Sequence, residues 1–230
     1  MPNHERKSTK SNPFRNTILL HLATRTESNV NTGKFPPPIH HRLMGYGAAV
    51  LSPRLDLYSF CNLDDETSLV AALMGSTLDE GSTVVSFACE HFVYPVLRGA
   101  CYRNGVLFSA ENSNWYDVGQ WFGNSGKGTM TDFATAIGLG PRIPIDFSNA
   151  VLNNSCQDIL DQLLLDTFLV LSVWARQQVA EGKMTVDRYR KVITVAKKKV
   201  RAKVQDPEMK RYVSWKEMNR ESLLLESHVD

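Results

Sequence analysis

Residues 83–103, TVVSFACEHFVYPVLRGACYR, decide the fold class. The first six, TVVSFA, are β-branched and aromatic and read as a buried strand, while residues 92–103 read as the helix that follows it. Working upstream, Asp64 or Asp65 can cap a helix running to about Leu78, with Leu69, Val70, Leu73 and Met74 on one side. Three earlier runs read as strands: residues 17–24 (TILLHLAT), 44–51 (MGYGAAVL) and 55–61 (LDLYSFC), the last two joined by a turn at residues 52–54. Downstream, residues 106–108 offer a short fifth strand. Strands that come first, helices that come later and helices interleaved around the fourth strand predict an α/β fold, a mixed central sheet flanked by helices.

The second half is helical. Residues 131–137 read as a helix stopped by Gly138. Ser155 followed by Asp158 resembles a capping box opening a long helix to about Ala180. Its apolar residues form two stripes, Leu160, Leu164, Leu171 and Trp174 beside Ile159, Leu163 and Val170, which predicts burial on more than one side. Residues 186–204 make a final helix carrying Arg188, Arg190, Lys191, Lys197, Lys198, Lys199, Arg201 and Lys203, with no acid after Asp187. Between the first two strands lies KFPPPIHHR, whose Pro36, Pro37 and Pro38 are expected to be extended rather than helical.

The 230 residues suffice for one full domain with a substantial core. The net charge of +2 conceals an asymmetry: residues 1–182 hold 13 basic and 17 acidic side chains, a net of −4, and residues 183–230 hold 13 and 7, a net of +6. A polycation and an acidic disordered tail are both excluded. The expected organisation is a polar tail (1–16), a mildly acidic body (17–182) and a basic helical C-terminal extension (183–230). Residues 1–16 lack the apolar stretch of a secretory leader, and no apolar run is long enough to cross a membrane, so a cytoplasmic chain is expected. Cys61, Cys89, Cys101 and Cys156 are far apart, without CxxC or zinc spacing, and read as reduced thiols. No cofactor and no metal site follows from these residues.

The order of segments over about three quarters of the chain resembles the DEDD superfamily of 3′–5′ exonucleases, RNase H-like in fold, in the branch related to the proofreading domain of family B DNA polymerases. The resemblance rests on KFPPPIHHR before the second strand, LDDETSLVAAL at the first helix, and SFACEHFVYPVL, which matches a T-F-N-G-x-x-F-D-x-P-V-L pattern through Phe87, Phe92, Pro95, Val96 and Leu97. It continues through Trp115, Tyr116, Asp117 and Val118 as an h-D-h segment, MTDFATAIGLG, and ILDQLLLDTFLVL in place of a Y-C-x-x-D helix.

Such enzymes use two divalent cations held by carboxylates. Carried onto this sequence, the acidic positions of the first motif fall on His21 and Ala23, that of the second on Val93, and its asparagine on Ala88. The tyrosine and aspartate of the third fall on Ile159 and Leu163, one helical turn apart on the same face. The resemblance therefore implies a pseudoenzyme, an exonuclease-like fold with no catalytic residue left. Asp158, Asp161 and Asp166 could be displaced substitutes, but they read as a solvated face and a helix N-terminal charge. Glu90 and His91 flank the second motif. His21, in an apolar strand, reads as a satisfied core histidine.

The function expected is binding: a nucleic-acid-binding or accessory subunit of a larger nucleic-acid-processing assembly. Alternatives are a protein scaffold without nucleic-acid contact and an active metal-dependent exonuclease using displaced acids. Candidate contacts for DNA or RNA beside the degenerate cleft are Lys34, His40, His41, Arg42, Arg98, Arg103 and Lys127, with Tyr94 and Trp115 as stacking residues or, more simply, core. The stronger electrostatic footprint is the helix of residues 188–203, eight cations in sixteen residues interleaved with Val192, Ile193, Ala196 and Val200. Its apolar side has no Trp, Phe or Leu, which disfavours a membrane surface.

Overall fold

The structure is a computed structural model and describes residues 16–26, 37–51, 55–78, 80–122, 155–207 and, in smaller pieces, 129, 132, 135, 150, 151, 153, 209 and 210. Among the described residues there are five strands: β1 (Thr17–Thr26), β2 (His41–Leu51), β3 (Asp56–Cys61), β4 (Thr83–Ser86) and β5 (Asn114–Asp117). Four α-helices accompany them among the described residues: α1 (Glu66–Ser76), α2 (Tyr94–Asn104), α3 (Cys156–Ala180) and α4 (Val186–Lys203). The sheet order is β3-β2-β1-β4-β5. β1, β2 and β3 form an antiparallel meander, and β4 and β5 continue from β1 in parallel. The mixed sheet flanked by helices is therefore as the sequence predicts.

β1 sits in the middle, and its unbroken apolar run follows from burial on both faces. Ile18, Leu20 and Leu22 point to one side, into a cluster with Leu69, Leu73, Val96 and Leu97 of α1 and α2. Leu19 points to the other side, into a cluster with Phe168, Leu169 and Trp174 of α3. The same pleat puts Thr17, Leu19, His21 and Ala23 on the α3 face.

α3 lies unusually close to the sheet, and Gly45 and Gly47 of β2 make that possible. They are the β-partners of Ala23 and His21. A Cβ on Gly45 would come within 2.9 Å of Leu163 Cδ1, and one on Gly47 would collide with Thr167 Oγ1. Tyr46 between them is 2% exposed within the cluster on the other face. The two apolar stripes of α3 are both buried, as its sequence implies. Its outer side is covered by Tyr189, Ile193, Ala196 and Val200 of α4, which belong to the same core as Leu19. The border at residue 183 is thus a border of charge, and packing runs across it.

Several local expectations are corrected. Residues 106–108 are not a strand; the fifth strand is Asn114–Asp117, paired in parallel with β4. Pro37 is extended (φ −53°, ψ 148°), but Pro38 opens a 3₁₀ turn, Pro38–His40, because the first position of a helical turn needs no N–H. A π-helical turn, Cys89–Val93, precedes α2. Ser155 precedes α3 but makes no side-chain cap bond. Asp65 does cap α1, accepting from the Ser68 N–H at 3.0 Å. The helix read at residues 131–137 lies outside the described residues, apart from 132 and 135.

Candidate functional site

Three of the five positions on which the resemblance would place catalytic groups meet. Ala23 from β1 and Ile159 and Leu163 from α3 form one buried cluster with Met44, Leu63 and Ala150, and Cys61, Val151 and Cys156 pack against its edge. Among the described residues, methyl and methylene groups line this place. Among the described residues no group of three or more His, Cys, Asp or Glu side chains could hold a metal ion. Val93 goes elsewhere, into the core on the opposite face of the sheet.

His21 lies next along the same face of β1, and its Nε2 is 3.3 Å from Asp166 Oδ2. Gln162 Nε2 donates to Asp166 Oδ1 at 2.9 Å. Asp166 is fully buried, and these donors satisfy both of its carboxyl oxygens. His21 is thus a partnered histidine rather than a ligand. The acids of α3 are not a common solvated face: only Asp158 is exposed. Asp161, 1% exposed, accepts from Gln157 Nε2 and from the backbone N–H groups of Gln205 and Asp206, each at 2.7 Å. It holds the chain leaving α4. Glu90 and His91 are exposed on the π-helical turn.

Asp117 has a structural role that its neighbourhood in the sequence did not reveal. Its carboxylate accepts from the N–H groups of Ala88 (3.1 Å), Cys89 (2.9 Å) and Gly119 (2.8 Å), joining the ends of β4 and β5. Its charge further raises the Cys89 thiol, which burial already pushes up, to about 12.

The cations expected near the proline-rich loop separate on inspection. His41 is buried, 3.1 Å from Thr24 Oγ1 through Nδ1 and edge-on to Phe92, so it is a core residue. Arg103 donates to the carbonyls of Ile39 (3.0 Å) and His41 (2.8 Å) and to Glu66 Oε1 (2.8 Å). Glu66 also receives the Leu43 N–H and Asn104 Nδ2. Burial alone would raise the Glu66 carboxyl; the bonds from Arg103, Leu43 and Asn104 outweigh it and hold the group below its ordinary value. Arg103 is a clamp, not an open cation. His40 is half-buried, while Arg42 and Arg98 are exposed. Lys34 and Lys127 lie outside the described residues. Tyr94 and Trp115 meet edge to face at 5.0 Å, and Trp115 stacks on Phe108, so both are packing residues.

Arg98 borders a groove of about 480 Å³ between Pro37–Ile39 and one face of α2, lined also by Tyr94, Pro95 and Tyr102. Ile39 and Tyr102 stand 65% and 90% exposed at this groove.

α4 presents the other cationic surface, on the far side of the sheet from α2. Lys199 pairs with Asp56 at 3.2 Å, and Lys203 donates to the Leu57 carbonyl at 2.7 Å, both on β3. Arg190 is 3.8 Å from Asp187, and Arg188, Arg190 and Lys197 are half-buried. Lys191, Lys198 and Arg201 are exposed and share one outward stripe with Thr194 and Val195. The candidate contacts therefore divide between two faces of the molecule.

No family model matches this sequence, and no curated protein matches it. Among the described residues no helix is long and apolar enough to cross a membrane.

Proposed function

We propose that this chain is a catalytically inactive, exonuclease-like protein of RNase H-like architecture that binds nucleic acid as an accessory subunit of a larger nucleic-acid-processing assembly. The observation that carries the binding step is the outward stripe of Lys191, Lys198 and Arg201 on α4. Ten residues of helix span about 15 Å, comparable to the rise of four base pairs. The stripe is rigidly based, because the opposite side of α4 is core. Two separate motifs supplied Ala23 on the one hand and Ile159 and Leu163 on the other, and their meeting in one cluster supports the family resemblance. The apolar character of that cluster supports the inactive reading.

Titrating labelled single- and double-stranded DNA and RNA by fluorescence anisotropy tests the proposal, with Lys191→Glu/Lys198→Glu/Arg201→Glu as the variant. Binding is expected to weaken at least tenfold, and the slope of log affinity against log salt to fall by about 2 to 3 if three phosphate contacts are lost. Equal affinity and equal slope for both proteins would sink the α4 assignment. End-labelled strands with Mg²⁺ or Mn²⁺ are expected to stay intact; digestion abolished by EDTA would sink the inactive reading.

The groove at Ile39 and Tyr102 favours a second reading, a protein scaffold without nucleic-acid contact. Under it, Tyr102→Asp removes a co-purifying partner, and the α4 variant leaves that partner in place.

A further inference from the structure

Cys61 ends β3 and Cys156 begins α3, and their sulfur atoms stand 3.1 Å apart although the residues are 95 positions apart in the chain. Both are half-buried, whereas Cys89 and Cys101 are enclosed at 0% and 1% exposure. The pair sits at the edge of the apolar cluster of Ala23, Leu63, Ile159 and Leu163. A disulfide bond is about 2.05 Å long, so closure requires roughly 1 Å of approach between two side chains that already point at each other.

We infer that Cys61 and Cys156 form a reversible, oxidation-driven staple between the end of β3 and the start of α3. The inference goes beyond the proposed nucleic-acid binding and does not depend on it. The oxidant is a peroxide. One thiol is oxidised to a sulfenic acid as the O–O bond breaks and the peroxide leaves as water or alcohol. The second sulfur then attacks the first, forming the S–S bond and releasing water. Two electrons in total pass from the two sulfurs to the peroxide. A dithiol reverses the reaction by exchange.

The bond would close a loop containing α1, β4, α2 and β5. Closing so long a loop is expected to raise the melting temperature by about 5–10 °C. It would also fix the floor on which Leu63 and Ile159 meet.

The full chain, reduced and then treated with a few equivalents of hydrogen peroxide, provides the test. Thiol counting after denaturation should fall from four to two, with a loss of two hydrogen masses per chain. A non-reducing peptide map should join the peptides holding Cys61 and Cys156, and dithiothreitol should restore four thiols. Cys61→Ser and Cys156→Ser should each abolish that link and the rise in melting temperature. Four thiols after oxidation, a link to Cys89 or Cys101, or links between chains only would overturn the staple. The map of the unaltered protein decides the matter even if a serine variant fails to fold.

Discussion

Ala88 has φ of +55°, a left-handed conformation that costs a residue with a Cβ about 1–2 kcal/mol. It is held there because Asp117 accepts both its own N–H and that of Cys89. Ala88→Gly is expected to stabilise the protein by about 1 kcal/mol in urea unfolding; a destabilised variant would show that the Ala88 methyl contributes packing that outweighs the strain. The buried carboxylate of Asp166 makes the opposite case. Asp166→Ala strands Gln162 and His21 and is expected to cost about 3 kcal/mol, while His21→Leu/Asp166→Leu recovers most of the loss. If the losses of His21→Leu and Asp166→Leu simply add in the double variant, the pair is not energetically coupled. Of these two arrangements the sequence showed only that His21 is a satisfied core residue, not which carboxylate meets it. Asp117 serves N–H groups 28 and 29 residues away, and Asp161 serves groups 44 and 45 residues away, so no local pattern distinguishes them from solvated acids.

Among the elements, β1, β2, β3 and β4 and the four helices were legible because each carries its own apolar period or cap. β5 was not. Its four residues, NWYD, have little hydrophobic signal, and parallel pairing with β4 makes them a strand. The apolar Phe108 that suggested a strand at residues 106–108 instead stacks on Trp115. Of the positions named by the resemblance, Ala23 on β1 meets Ile159 and Leu163 on α3, but Val93 does not join them, because the π-helical turn directs it into the opposite core. Glu66, on α1, ties β2 to α2 through Leu43, Arg103 and Asn104. Its folded carboxyl titrates below the ordinary 4.5, so the stabilisation is complete above that value and is lost as pH falls through the folded value. Glu66→Gln is expected to lower stability by about 2 kcal/mol at pH 7 and to converge on the unaltered protein as pH falls below the folded value. A gap that stays constant with pH would mean that Glu66 contributes shape rather than charge.

For the whole molecule, the split of charge into a −4 part and a +6 part led to α4, but charge alone did not show that α4 is a structural layer. Tyr189, Ile193 and Val200 each bury a side chain worth about 1.5–3 kcal/mol, so α4 matters on the scale of a domain's entire net stability of about 5–15 kcal/mol. A chain ending at residue 182 is therefore expected to lose its cooperative unfolding transition by circular dichroism. A native-like transition in that truncated chain would contradict the shared core.

The contacts of Lys199 with Asp56 and of Lys203 with the Leu57 carbonyl have a meaning separate from any ligand. β3 is the last strand on its side, and the outer rim of such a strand is a template on which another chain can add itself. Two ammonium groups occupy that rim, one of them directly on a backbone acceptor. They blunt that rim, and neutralising both lysines would expose a growth point for self-association while leaving the outward stripe of Lys191, Lys198 and Arg201 untouched.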